Sequence, residues 1–290
     1  MFYSLEEMAV QAQNEYNGSI ASLMIAKEQE LNGRTREEIL KQMEKNLEVM
    51  TSSVEEGVKG VKSVTGLTGG DAAKLDHYLK SGKSLSSATL LTSVKNAIAV
   101  SEVNAKMGLI CATPTAGSAG CLPAVLSTAI KKLNLGHKAQ LDFLFVAGAV
   151  GLVIANNASI SGAEGGCQAE VGTASAMASA ALVQASGGEA EVAIHAAAMV
   201  LKNMLGLICD PVAGLVEIPC IKRNALGASQ AFVSADMALA GIKSVIPPDE
   251  VVTCMYQVGL SLPSAFRETS EGGLAQTPTG KRLMQEIFKN

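Results

Sequence analysis

Apolar residues recur three and four apart along most of this chain, and no stretch alternates apolar with polar as a half-buried strand would. The clearest run covers residues 35–61. There Ile39, Leu40, Met43, Leu47, Met50 and Val54 share one helical face, and Arg36, Glu37, Lys41, Glu44, Lys45 and Glu48 read as its solvated side. Ser4 with Glu7, and Thr35 with Glu38, have capping-box spacing just ahead of such periodicity. Further helices are predicted over residues 86–107, 138–155, 171–186 and 189–205, from Lys222 to about Ala240, from Pro247-Pro248-Asp249 onward, and in a short amphipathic C-terminal segment. Residues 171–186 are Ala, Ser, Met and Val nearly all round, so that helix belongs at the centre of the fold. The pattern predicts an all-α domain spanning residues 1–290. A separable helical region over residues 1–62 is compatible with it, although no linker marks one.

Four segments interrupt the periodicity, each rich in glycine and small residues. In SVTGLTGGDAAKL, residues 63–75, Asp71 is placed to cap a helix beginning at Ala72, whose free amides would favour an anion. The segment lacks the dinucleotide fingerprint. SGKS at 81–84 is not a phosphate loop, because the required glycine is replaced by His77. CATPTAGSAGCLP, residues 111–123, carries no charge, unlike a surface linker, and suits a tight loop lining a cleft, with Pro123 opening the next helix. NNASISGAEGGC, residues 156–167, and the stretch CDPVAGLVEIPC complete the set. These four loops are expected to converge on one site.

Composition sharpens this picture. The chain is 48% hydrophobic but only 3% aromatic, with 28 Gly and no Trp, which implies helices packed closely through small side chains. A net charge of −4 provides no broad basic surface for nucleic acid. The N-terminal MFYSLEEMAVQ has no signal-peptide pattern, and the apolar run over residues 143–155 falls short of the roughly 20 residues of a membrane span. A cytoplasmic protein without nucleic-acid or membrane partners is expected. In that reducing setting, six cysteines point to metal, catalysis or packing rather than disulfides.

Cys167, Cys209 and Cys220 stand out because each adjoins glycine or proline, where the backbone turns. No Cys-x-x-Cys pair is present, so their spacing leaves metal ligation, packing and a catalytic thiol all open. Three thiolates on one metal centre would leave a position free for substrate. His77, His137 and His195 are each possible bases, His77 being the most interesting because it follows the glycine loop at 66–70 by about two turns.

ICATPTAGSAG, ISGAEGGCQAEVGTASAMASAALV, CDPVAGLVEIPCIKRNALGA and SVTGLTGGDAAKL resemble segments of the α subunit of the bacterial iron–sulfur-dependent L-serine dehydratases, and the likeness covers nearly the whole chain. The resemblance implies an all-helical domain holding a 4Fe-4S cluster through Cys167, Cys209 and Cys220, while Cys111, Cys121 and Cys254 do not match ligand positions. Cys254 is expected to pack inside its helix. The implied reaction is dehydration of L-serine to pyruvate and ammonia. The substrate-binding candidates are Thr68, Gly69, Gly70, Thr115, Ala116, Gly117 and Ser118, with Lys222 or Arg223 on the carboxylate and His77 a weak candidate base. Single-chain members carry a β domain with a Ser-His-Thr-x-Gly-Pro segment, and some end in a cysteine. This sequence has neither and ends Ile-Phe-Lys-Asn, so a separate β subunit is the expected partner. Rival readings are a cysteine desulfidase or other hydro-lyase using the same cluster, and a non-catalytic metal-stabilised scaffold.

Overall fold

The structure, a computed structural model, describes residues 2–288; Met1 and the terminal Lys289 and Asn290 lie outside them. Thirteen α-helices run in order among these residues: α1 (Leu5–Glu15), α2 (Ile20–Asn32), α3 (Arg36–Val58), α4 (Asp71–Lys80), α5 (Ala88–Ala105), α6 (Cys121–Leu133), α7 (His137–Asn157), α8 (Gly162–Gly165), α9 (Thr173–Ala185), α10 (Ala190–Met204), α11 (Cys220–Leu239), α12 (Pro248–Ser261) and α13 (Pro278–Phe288). No strand occurs among the described residues, only the isolated bridges Lys62–Gly69 and Cys209–Arg267. The fold is all-α, as the periodicity predicts.

Local chemistry sets the helix starts. Thr35 and Glu38 exchange both capping-box bonds at the head of α3, and the Ser4 hydroxyl accepts from the Glu7 amide at α1. Pro123 does not open its helix. α6 already begins at Cys121, so Pro123 sits within the first turn, where a missing N–H is still harmless.

At α4 the structure corrects the expected cap. Gly70, with φ +79°, is the N-cap, and Asp71 makes no capping bond. The amides of Asp71 and Ala72 donate instead to the carboxylate of Glu102 on α5, at 2.7 and 3.4 Å. The anion expected at this helix start is thus an internal one, and the site is filled.

α9 is the centre of the bundle. Every residue from Thr173 to Val183 is buried, and α6, α7, α10 and α11 surround it. Helices lined with Ala, Ser and Gly approach closely, which gains dispersion contacts that bulkier side chains would prevent. α7 is longer than its apolar run suggests. By length and composition it could cross a membrane, but 61% of its most apolar window is buried against other helices. The helices before residue 60 share the main core, since Phe2, Leu5, Ile25, Leu47 and Met50 cluster with Val150, Met177 and Val200.

Where α3 crosses α5, a Cβ on Gly57 would lie 2.2 Å from the Ala99 carbonyl oxygen, a backbone atom that cannot swing aside. Gly57→Ala is therefore expected to destabilise the fold by about 2 kcal/mol, because overpacking outweighs the improved helix propensity. A lowered urea midpoint at unchanged m-value is the expected result; an unchanged midpoint would show that the two helices can part freely.

Candidate metal centre

The three turn cysteines come from three different segments. Cys167 ends the loop after α7 and α8 and precedes a single π-helical turn, Gln168–Gly172, that leads into α9. Cys209 lies in the extended segment after α10, and Cys220 is the first residue of α11. All three are buried and none is in a disulfide.

Hydrogen bonds fix this arrangement from every side. Gln168, itself buried, accepts from the Gly206 amide at 2.9 Å and donates to the Met255 carbonyl at 2.9 Å, tying the Cys167 turn to the loop that carries Cys209 and to α12. The Cys209 amide donates to the Phe266 carbonyl, and its own carbonyl accepts from the Glu268 amide, so residues 266–268 brace that cysteine. Asn224, one turn into α11, accepts from the Gly120 amide and donates to the Gly117 and Cys220 carbonyls at 2.8–2.9 Å. Thr65 and Thr68 donate to the buried carboxylate of Glu217, which precedes Cys220 by one turn. All four small-residue loops are thereby joined around one place.

The Sγ atoms of Cys167 and Cys209 and a carboxylate oxygen of Glu170 all lie within 4.8 Å of one another, and all three residues are buried. Cys220 stands outside that tightest group but close enough for the charge of Cys167 to act on its thiol, which burial and that charge push up to about 12. The Cys167 thiol is held below its ordinary value, first by a hydrogen bond from Cys209 and then by Arg223, against the effect of burial. The Cys209 thiol, as donor in that bond, is pushed up. A cation entering here would release these protons, since thiolate rather than thiol is the ligand. Buried sulfurs with one carboxylate form a soft donor set suited to iron–sulfur clusters or zinc rather than to magnesium or calcium. Gly162 leaves the space open: a Cβ there would sit 3.0 Å from the Cys209 sulfur and 2.8 Å from a Glu170 oxygen. The residues present fit a thiolate-held metal group.

The other predicted site residues divide. Arg223 is inside the site but engaged: Nη1 lies 3.6 Å from the Cys167 sulfur and donates to the Ile208 carbonyl at 2.8 Å, while Nη2 is 2.8 Å from Asp210 Oδ1. Lys222 is exposed and paired with Asp71 at 2.5 Å. Thr115 and Gly117 face Glu170, whereas the Ser118 hydroxyl turns back to the Thr113 carbonyl within its own loop, and Ala116 is exposed. Gly69 packs on the Val61 carbonyl, and Gly70 caps α4.

His77 is exposed on α4. His137, at the head of α7, pairs with Glu44, and His195, on α10, accepts from the Ser244 amide in the segment after α11. Cys121 is buried and directs its S–H to Asn224. Cys254 corrects the sequence expectation. It is exposed on α12 rather than packed, because its position falls on the solvent side of that helix.

Three buried carboxylates around this site were missed, Glu170, Glu217 and Asp210, as was Glu102 at the start of α4. Glu170 alone left a trace, as the one charge in an otherwise small and apolar run.

The family model described as serine dehydratase alpha chain matches residues 15–275. The chain belongs to the serine dehydratase alpha chain family. It is 57% identical to the "Probable L-serine dehydratase, alpha chain" of Bacillus subtilis (strain 168), covering 99% of this chain and 96% of that one. It is 44% identical to the "L-serine dehydratase, alpha chain" of Peptoniphilus asaccharolyticus over 95% of each. Against the "L-serine dehydratase" of Helicobacter pylori (strain ATCC 700392 / 26695), 78% of this family member aligns at 39% identity but spans only half of the longer chain.

Proposed function

We propose that this protein is the metal-bearing α subunit of a two-chain L-serine dehydratase, converting L-serine to pyruvate and ammonia in the cytoplasm, with residues 1–290 acting as one catalytic domain. The observation that carries the reading is the gathering of Cys167, Cys209 and Glu170 beside Cys220, in a chain whose near full-length relatives bear the name L-serine dehydratase, alpha chain. Cys167, Cys209 and Cys220 would hold a 4Fe-4S cluster. When bound, such a cluster supplies a Lewis-acidic iron toward the hydroxyl and carboxylate of serine, whose hydroxyl is otherwise a poor leaving group.

The chain's own residues set the conditions for that chemistry. Arg223, fixed by Asp210, keeps Cys167 oriented and charged. The uncharged loop holding Thr115 and Gly117 walls the site with backbone rather than flexible side chains, and the 266–268 segment braces Cys209. Loss of water from serine leaves aminoacrylate, which takes water back as it tautomerises and hydrolyses to pyruvate and ammonia. Thr68, Gly69, Gly70 and the 115–118 loop remain our candidates to bind substrate, and Lys222 is a carboxylate contact only if it leaves Asp71.

A second chain completes the enzyme in this reading. The Helicobacter relative bears the name of the whole enzyme and has half its length outside the match. The purified chain, reconstituted anaerobically, is expected to bind iron and acid-labile sulfide but to release pyruvate from L-serine at least roughly 100-fold more slowly than when mixed with its β partner, because an incomplete site misplaces the reacting groups. Full turnover by the chain alone would refute the two-chain reading. Absence of pyruvate from the pair, with iron bound, would refute serine as substrate.

A further inference from the structure

Glu170 is a buried carboxylate without a counter-charge. It is 8% exposed, and none of the ion pairs among the described residues includes it. Its support is a hydrogen bond from Thr115 and one from the Gly162 amide, and the charge acting on it is the like charge of Glu268. Arg223, the cation closest to the cysteines, is already committed to Asp210 and Cys167. Burying an ionised carboxylate in this way is costly unless a cation meets it.

The surroundings are shaped to this one side chain. Cβ atoms on Gly117 and Gly162 would lie 3.1 and 2.8 Å from Glu170 Oε2, so two separate loops carry glycine where they meet the carboxylate. Glu170 also lies in the π-helical turn Gln168–Gly172, one residue wider than an α-turn, a distortion that recurs at functional sites. That turn starts at Cys167 and brings the carboxylate to within 4.8 Å of two sulfurs. A purely structural glutamate would need none of these features.

We propose that Glu170 is a fourth protein ligand of the metal centre, its carboxylate closing, in the absence of substrate, the position that Cys167, Cys209 and Cys220 leave open. This rests on the reading that those cysteines hold an iron–sulfur cluster. A Lewis-acidic iron would then meet the carboxylate, and three thiolates plus one oxygen would give each of four irons one protein ligand. The oxygen is the weakest donor of the four and is a carboxylate, so the carboxylate of an incoming amino acid replaces it with no change in charge.

The test uses the assembled two-chain enzyme, prepared anaerobically. Iron and acid-labile sulfide are counted first. Fewer than three irons per α chain in the wild type would overturn the cluster reading, and this inference with it. With the cluster present, the dithionite-reduced enzyme without substrate is examined by electron paramagnetic resonance in water enriched in oxygen-17. No oxygen-17 broadening is expected in the wild type, because Glu170 rather than water occupies the open iron. Glu170→Ala should admit water and show the broadening, and should lose one iron to a chelator roughly 10- to 100-fold faster than wild type. Glu170→Gln, of the same shape, should behave like Glu170→Ala. If either variant fails to assemble, the wild-type spectrum alone decides. Broadening there would overturn the proposal while leaving the cluster reading intact.

Discussion

Cys209→Ser is expected to remove bound metal and activity together, with the loss of turnover exceeding the roughly 100-fold typical of changes outside the coordination sphere. Cys209 is the thiol most central to the site. Its sulfur meets both Cys167 and Glu170, its backbone is braced by residues 266–268, and Gly162 is clear of a side chain beside it. A serine hydroxyl at the same place stays protonated near neutral pH and is a hard, weak donor for iron. Cys167→Ser and Cys220→Ser should behave alike. Cys254→Ser supplies the contrast, since that thiol is exposed on α12 and contributes to no buried cluster; it should keep full metal content and activity. The measurement is iron and sulfide per chain, with pyruvate release, for the four variants side by side. If Cys254→Ser lost its metal as completely as Cys209→Ser, the wrong sulfurs would have been assigned.

Asp210→Ala is expected to cost about 3–5 kcal/mol of stability, the range for breaking a buried ion pair by removing one partner. Asp210 is 2% exposed and sits 2.8 Å from a largely buried Arg223 guanidinium. Its other oxygen accepts from the Leu274 amide at 2.7 Å, and Gly273, at φ +58°, lets the backbone come that close. The substitution strands the arginine charge, orphans that amide and loosens the segment around residues 266–274 that clasps Cys209. The same change should also lower metal affinity, because Arg223 loses the partner that aims it at Cys167. Chemical denaturation of metal-free protein separates the two effects. A metal-free stability equal to that of wild type would mean that the pair contributes only to the metal site. Arg223→Met, which removes the charge but keeps the bulk, should be similarly destabilising, since it leaves the Asp210 carboxylate buried without its partner.

Much of the helical framework was legible along the chain, because its causes are local. The head of α3 follows from Thr35 and Glu38 exchanging bonds across a single turn, and its buried face follows from Ile39, Leu47, Met50 and Val54 recurring with the helical period. The central place of α9 follows from side chains too small and apolar to present a solvated face. Glycine and proline beside Cys167, Cys209 and Cys220 mark turns, since those residues act on the backbone of their immediate neighbours.

The sequence by itself therefore determined where helices form, which of them is central and which cysteines lie on turns. Only the tertiary structure decided which charged groups are buried and with whom. Glu170 reads along the chain as a helix charge, yet it is enclosed by glycines at positions 117 and 162 of two other loops. The start of α4 looked open to a ligand and is satisfied by Glu102 from α5. Arg223 looked free for a substrate and is held by Asp210, while Cys254 looked packed and faces solvent. The physical reason is one of range. Backbone preference and period act over one or two turns, whereas desolvation and ion pairing depend on whatever the packing of distant segments brings within a few ångströms.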